Sequence, residues 1–186
     1  NVLNQHLIPD KSMKIEIINK IYDFDREHDK LIDFNQLLPN GKSYLTNISK
    51  DLDEIEEIVD FFIDHGVDPN MKDKDDDVPL EYAIDIDSLP FVTSLAKSDK
   101  LDYNAYYYLH MAAEKSNDEI FRFLLEKNVF DVNGENDEGD TPLMIACCFR
   151  NIKVIDLLFN LDNIDYLHCN YNGEDALDSI DILPQE

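Results

Sequence analysis

The chain has 186 residues, 44% of them hydrophobic, and carries 16 basic against 41 acidic side chains for a formal net charge of −25. A surface this acidic repels phosphate, which argues against a nucleic-acid partner and disfavours an anionic membrane. No window approaches the roughly 18 consecutive apolar residues of a membrane-spanning helix. Three cysteines, Cys147, Cys148 and Cys169, two of them adjacent, do not form a disulfide framework. Cys147 reads as a reduced, buried thiol, and a cytoplasmic-type compartment follows. Asn1-Val2-Leu3-Asn4-Gln5-His6 has no basic region leading into an apolar one, so no signal peptide is expected there. The missing initiator Met suggests an excerpt of a longer chain, which leaves a removed targeting segment open.

Residues 12–38 read as helix-rich, with Met13, Ile15, Ile17, Ile18, Ile21, Tyr22 and Phe24 followed by Leu31, Ile32, Phe34, Leu37 and Leu38. Asp25 to Lys30 breaks or exposes the middle, and Pro39-Asn40-Gly41 marks a turn. Asp53 to His65 is an amphipathic helix, because Ile55, Ile58, Val59, Phe62 and Ile63 recur at helical spacing. Gly66 ends it. Met71 to Asp77 is a polar, hairpin-like excursion. Val78-Pro79 restarts a short helix to Ile86, with Pro tolerated in the first turn. Leu89-Pro90 opens another, and Asp102-Tyr103-Asn104 closes that unit. Leu109–Lys115 and Asp118–Lys127 form the next pair, and 143–149 and 152–160 the last. His168 to Glu186 holds one short helix start.

One outline returns along the chain. Leu45, Leu80, Leu109, Leu143 and Leu177 align, with steps of 35, 29, 34 and 34 residues. Self-similarity at a period of about 33 residues is the signature of a solenoid, in which no unit buries its apolar face alone and stacking supplies the core. The expected class is all-α, with paired antiparallel helices joined by extended polar loops.

Asp137-Glu138-Gly139-Asp140-Thr141-Pro142-Leu143-Met144-Ile145-Ala146 resembles the ankyrin-repeat motif. Leu109-His110-Met111-Ala112-Ala113 is similar to its centre, and His65-Gly66-Val67-Asp68-Pro69-Asn70 to its ending. The resemblance spans about 40–180. It implies an ankyrin-repeat solenoid: an N-terminal helical cap or degenerate repeat at 1–38, repeats at 39–72, 73–104, 105–136 and 137–168, and a partial repeat or cap at 169–186. Thr before the first helix would cap free N–H groups, and Ala-Ala would let the helices approach closely. His110 would tie down the hairpin loop. Departures are Tyr44 in place of Pro, Asp77 where Gly139 stands in the fourth repeat, Tyr107-Tyr108 for Thr-Pro after a shortened approach, and Asp175-Ala176 in the last repeat.

No chemistry is assembled. Asp73-Lys74-Asp75-Asp76-Asp77 has a superficial likeness to a calcium loop, but the sixth and twelfth positions are Val78 and Ile84 instead of Gly and Glu. Asn133 to Asp140 fails likewise at Met144. His6, His28, His65, His110 and His168 are scattered, and no phosphate loop or nucleophile elbow is present. No enzyme, metal or cofactor is expected.

The resemblance implies a concave face for binding. Tyr82, Asp85 and Ile86 would line it from the second repeat, Met111, Glu114 and Lys115 from the third, and Ile145, Cys148 and Phe149 from the fourth. Asp73, Asp75, Tyr106, Glu135, Asp137, Glu138 and Tyr171 would lie at the hairpin tips. Aromatic rings beside acids suit a basic, partly apolar protein or peptide. The competing reading is that Tyr82 and Phe149 pack against adjacent repeats. The expected function is a non-enzymatic interaction scaffold for a basic partner. The alternative is a targeting or regulatory segment of a larger protein, such as a host-directed effector in the host cytosol, whose activity lies outside these residues. Self-association is a further possibility, and the oligomeric state stays open.

Overall fold

The structure, a computed structural model, describes residues 33–49, 54–103, 107–115 and 118–181, together with seven positions between 16 and 27. The N-terminal cap expected at 1–38 lies mostly outside these residues.

The described positions between 16 and 27 are helical, and from residue 33 onward seven α-helices succeed one another among the described residues: α1 Ile55–Asp64, α2 Pro79–Asp85, α3 Leu89–Leu95, α4 Tyr108–Glu114, α5 Asp118–Glu126, α6 Pro142–Cys148 and α7 Ile152–Phe159. They form two rows. One runs α2, α4, α6 and ends on a 3-10 turn at Asp178–Asp181; the other runs α1, α3, α5, α7. Within each unit α2 packs on α3, α4 on α5 and α6 on α7. The fold is therefore the all-α repeat solenoid that the period implied, with no strand among the described residues.

The starts are set locally. Pro79 and Pro142 occupy first-turn positions, where a missing N–H costs nothing. Thr141 Oγ1 accepts the Met144 N–H at 3.4 Å, Ser88 Oγ the Phe91 N–H at 3.4 Å, and Asn151 Oδ1 the Val154 N–H at 3.3 Å. Gly66, at φ +79°, ends α1 by turning its N–H to the Ile63 carbonyl. Burial then selects one face. Leu45, Leu80, Leu109 and Leu143 are at most 1% exposed, and Ala83, Ala112, Ala113 and Ala146 are fully buried where helices meet. Leu177 departs from this series and is 74% exposed. Asp175 and Asp178 cap one another's backbone there, with Asp175 Oδ1 accepting the Asp178 N–H at 3.1 Å, and the chain tightens into the 3-10 turn. That turn buries Ala176 and Ser179 instead of Leu177.

Consecutive units are joined by an asparagine clasp that the repeat pattern did not reveal. Asn35 Oδ1 accepts the Asp68 N–H at 2.6 Å, and its Nδ2 donates to the Gly66 carbonyl at 3.1 Å. Asn70 makes the same pair to Asp102 and Lys100, at 2.8 and 2.7 Å. Asn133 makes it to Asp165 and Asn163, at 2.8 and 2.7 Å. Each of these asparagines is aligned by the aspartate two residues earlier: Asp33, Asp68 and Asp131 accept the asparagine's own N–H at 2.8 to 3.0 Å. Asn133→Ala loses both inter-unit bonds and should cost about 1–3 kcal/mol in urea unfolding. Asn133→Asp keeps an acceptor for Asp165 but loses the donor to Asn163, and should fall between wild type and Asn133→Ala.

Candidate functional site

The site is built by the hairpin tips and the first-helix row. Three tips share one geometry. Asp73 Oδ1 accepts the N–H groups of Asp75 and Asp77 at 2.9 and 3.2 Å; Asn136 Oδ1 accepts Glu138 and Asp140, both at 2.9 Å; Asn170 Oδ1 accepts Asn172 and Glu174, both at 3.0 Å. In the first and last of these the other end of the side chain reaches back to the preceding tip. Asp73 Oδ2 lies 2.8 Å from Lys42 Nζ, and Asn170 Nδ2 donates to Asp140 Oδ1 at 2.8 Å. Backbone bonds add to this: the Lys74 N–H donates to Gly41 at 2.9 Å and the Tyr171 N–H to Glu138 at 3.1 Å.

Glycine is needed where a following tip covers the bend. Gly139 has φ +82°, and a Cβ there would meet the Tyr171 backbone nitrogen at 2.9 Å. The second tip places Asp76, not the expected Asp77, at this bend, with φ +67°. No tip of equal length follows it. The clasp puts Asp102 on the same rung as Asp68 and Asp165. Asp102 is seven residues before Leu109, whereas Asp68, Asp131 and Asp165 are each twelve before Leu80, Leu143 and Leu177. The third tip is thus five residues short, which accounts for the 29-residue step. Asp76 fits because nothing of that length covers it, and its side chain is 86% exposed.

A notch of about 590 Å³ occupies the gap, lined by Pro69, Asn70, Lys72, Asp75, Asp76, Asp77, Val78, Leu80, Glu81, Asp102, Tyr107 and Tyr108. It shares Asp77, Glu81 and Tyr107 with a second hollow of about 260 Å³ that adds Tyr82, Asp85 and Met111. The Tyr107 hydroxyl donates to Glu81, whose other oxygen accepts the Val78 N–H at 3.4 Å. Burial pushes the Glu81 carboxyl above its ordinary range, reinforced by the neighbouring Asp77 charge.

Of the residues expected on the concave face, the structure brings together Tyr82, Asp85 and Met111. Tyr82 is half-committed to packing: its hydroxyl donates to the Ile48 carbonyl at 2.6 Å and its ring lies edge-on to Phe91. Ile86 and Ile145 are half-buried against the core. Glu114 and Phe149 line a separate hollow of about 230 Å³ with Lys115, Arg150 and Lys153. Cations outnumber acids there, so the expected acidic character does not extend to this part. Glu135 and Tyr171 meet at a tip, with the Tyr171 hydroxyl donating at 3.1 Å, and Asp137 and Glu138 are exposed beside them. Tyr106 lies outside the described residues. Glu81, Tyr107 and Tyr108 were missed as surface candidates, although the 29-residue step was their signal.

Charge is arranged between units. Asp73, Asp75 and Asp77 form the one group among the described residues whose carboxylates lie close enough to hold a metal ion. The Lys42 ammonium sits among them, at 2.8, 3.1 and 3.3 Å. Burial works to raise the Asp73 carboxyl, but Lys42 and the N–H groups of Asp75 and Asp77 outweigh it and hold it below the ordinary range. Lys97 pairs with Asp60 at 2.6 Å, Lys115 with Asp85 at 3.0 Å, and Lys153 with Asp118 at 3.0 Å. Each of these cations bridges two units. His110 Nε2 lies 3.0 Å from the carbonyls of both Gly134 and Asp140, which ties down the next hairpin as the motif implied. Cys147 is buried and unbridged, and burial raises its thiol.

A stack of helix pairs with projecting tips and an open row of grooves defines a helical repeat protein built for contact. Residues 88–170 match the ankyrin-repeat family, described as ankyrin repeats in three copies. Those residues are ankyrin repeats, a kind of repeat that generally mediates protein–protein interaction and is typically non-enzymatic. It is 33% identical over 84 residues to the human transient receptor potential cation channel subfamily A member 1, covering 43% of this chain and 8% of the channel. It is 27% identical over 142 residues to alpha-latrocrustotoxin-Lt1a of Latrodectus tredecimguttatus, covering 74% of this chain and 9% of the toxin. It is 26% identical over 109 residues to an ankyrin repeat protein of Acanthamoeba polyphaga mimivirus, covering 57% of this chain and 10% of that protein. The chain therefore spans a tenth or less of the length of these relatives. No helix among the described residues is long and apolar enough to cross a membrane.

Two measurements check this geometry. Asp73→Ala loses both tip N–H bonds and should lower stability by about 1–3 kcal/mol at pH 7. Because the folded carboxyl sits below its unfolded value of about 3.9, its contribution is present above that pH and lost as pH falls through the lowered value. The gap between wild type and Asp73→Ala should narrow below about pH 4 in urea titrations. Asp76→Gly relieves the left-handed strain and should raise stability by about 0.5–1 kcal/mol, read as the thermal midpoint.

Proposed function

We propose that the chain is a non-enzymatic interaction scaffold that holds a basic protein or peptide along the second and third repeats. The observation that carries this reading is the hollow between Tyr82, Asp85 and Met111, which three carboxylates and no lysine or arginine line. The net charge of −25 would draw a cationic partner to this face and speed encounter at low salt. Tyr82, Tyr107 and Met111 supply the apolar contact that gives such a surface affinity beyond steering. The hollow beside Glu114 and Phe149 carries the opposite charge and would take an acidic or neutral part of the same partner. The tips at Glu135, Asp137, Glu138 and Tyr171 would add a rim. A cytosolic setting, in the cell of origin or in a host, belongs to this proposal.

A second reading makes these repeats the targeting segment of a larger protein whose activity lies elsewhere. It is supported by relatives that carry the matched repeats within much longer polypeptides.

The test is capture from native or host lysate at low and high salt, comparing the wild type with the double variant Asp85→Asn/Met111→Ala. A basic protein held at low salt, released as screening shortens to about 3 Å near 1 M salt, and lost by the double variant is the expected result. Capture that ignores both salt and the double variant overturns the proposal.

A further inference from the structure

The notch left by the short third tip has features of its own, and its assignment rests on the reading of the chain as a scaffold for a basic partner. Five carboxylates and a single lysine line it; Lys72 pairs with Asp76 at 3.7 Å, Asp75 and Asp77 pair with Lys42, and Glu81 forms no ion pair among the described residues. Its walls come from three successive repeats: Pro69 from the first, Val78, Leu80 and Glu81 from the second, Tyr107 and Tyr108 from the third. Tyr108 is 4% exposed, yet its hydroxyl has no hydrogen-bond partner among the described residues. Tyr108 lines the notch together with Glu81 and Asp102, and burial with the charges of those two residues raises its hydroxyl. That hydroxyl opens onto the notch with no partner of its own among the described residues, so it is free to bond a group that enters.

We infer that this notch receives an arginine side chain of the partner protein. The planar guanidinium offers five N–H donors in a fixed fork and is less strongly hydrated than an ammonium group, so it can satisfy the Glu81 carboxylate and the Tyr108 hydroxyl together while Asp102 balances its charge. The apolar stem lies against Pro69, Val78 and Leu80. An anion is repelled by the lining, and the tight carboxylate group at Asp73, Asp75 and Asp77 already holds Lys42. The continuity through Asp77, Glu81 and Tyr107 lets the segment that carries the arginine run on into the hollow beside Tyr82 and Met111.

The experiment titrates N-acetyl-Gly-Arg-Gly-amide into the ¹⁵N-labelled chain, with the lysine and glutamine tripeptides as comparisons. Saturable shifts centred on the amides of Asp76, Glu81 and Tyr107 are expected, with arginine at least roughly threefold tighter than lysine and glutamine silent. Glu81→Gln should weaken the arginine tripeptide roughly fivefold or more. Tyr108→Phe should weaken it roughly threefold while leaving the unfolding midpoint unchanged or raised, because the hydroxyl it removes is unpaired in the free chain. Shifts spread evenly over the acidic surface, equal affinity for arginine and lysine, or a Tyr108→Phe variant that binds as wild type would each overturn the inference. If the notch fails while salt-sensitive capture is still lost in Asp85→Asn/Met111→Ala, the scaffold reading stands without it. If capture also ignores salt and that variant, both fail.

Discussion

The stack depends on one contact repeated between units: an asparagine carboxamide that gives its N–H to one carbonyl of the next loop and takes an N–H from the residue two further on. Carboxamide is the side-chain group that both donates and accepts in the geometry of a peptide, so it extends backbone pairing across a loop that has no sheet partner. The bonds fix the distance between loops, and the helix rows inherit it. Leucines that recur near 34 residues then meet their neighbours closely enough to be buried completely. Without a fixed spacing the alanines at the helix contacts would face gaps, since a small side chain stabilises only when the neighbour comes close.

The tips are a separate layer on this frame. The third tip can lose five residues while Leu109, Ala112 and Ala113 stay fully buried, because the clasp at Asn70 and the helix contacts of α4 lie outside the deletion. The contacts that hold the stack together are therefore separate from the shortened tip. The frame tolerates a shortened tip, and the notch lies beside it. The bend at Asp76 has the same origin: where the following tip is five residues short, a side chain can occupy a position that close approach otherwise reserves for glycine.

The charge distribution supports the same division. The lysines at 42, 97, 115 and 153 are each placed between neighbouring units, opposite aspartates of the adjacent one. Exposed pairs of this kind contribute little individually, but they absorb repulsion that would otherwise separate acidic repeats. Two of these inter-unit lysines, Lys115 and Lys153, also line the hollow beside Phe149 together with Arg150.

Sequence by itself determined the repeat period, the helix pairs and the helix caps at Thr141 and Gly66, because these rest on periodicity and on residue chemistry close along the chain, whereas the role of His110, whose partners lie 24 and 30 residues on, came from the resemblance to the ankyrin motif. It also held the 29-residue step, but a step length does not say which residues are missing. Only the tertiary structure decided that, by placing Asp102 on the rung of Asp68 and so locating the deletion at the third tip. It decided that Leu177 faces outward, that Tyr82 spends its hydroxyl on Ile48, and that cations gather beside Phe149. The physical reason is the same in each case. Which side chains share a surface depends on the rotation and spacing of one repeat against the next, and those are fixed by contacts between residues about 30 positions apart, beyond the reach of any local pattern.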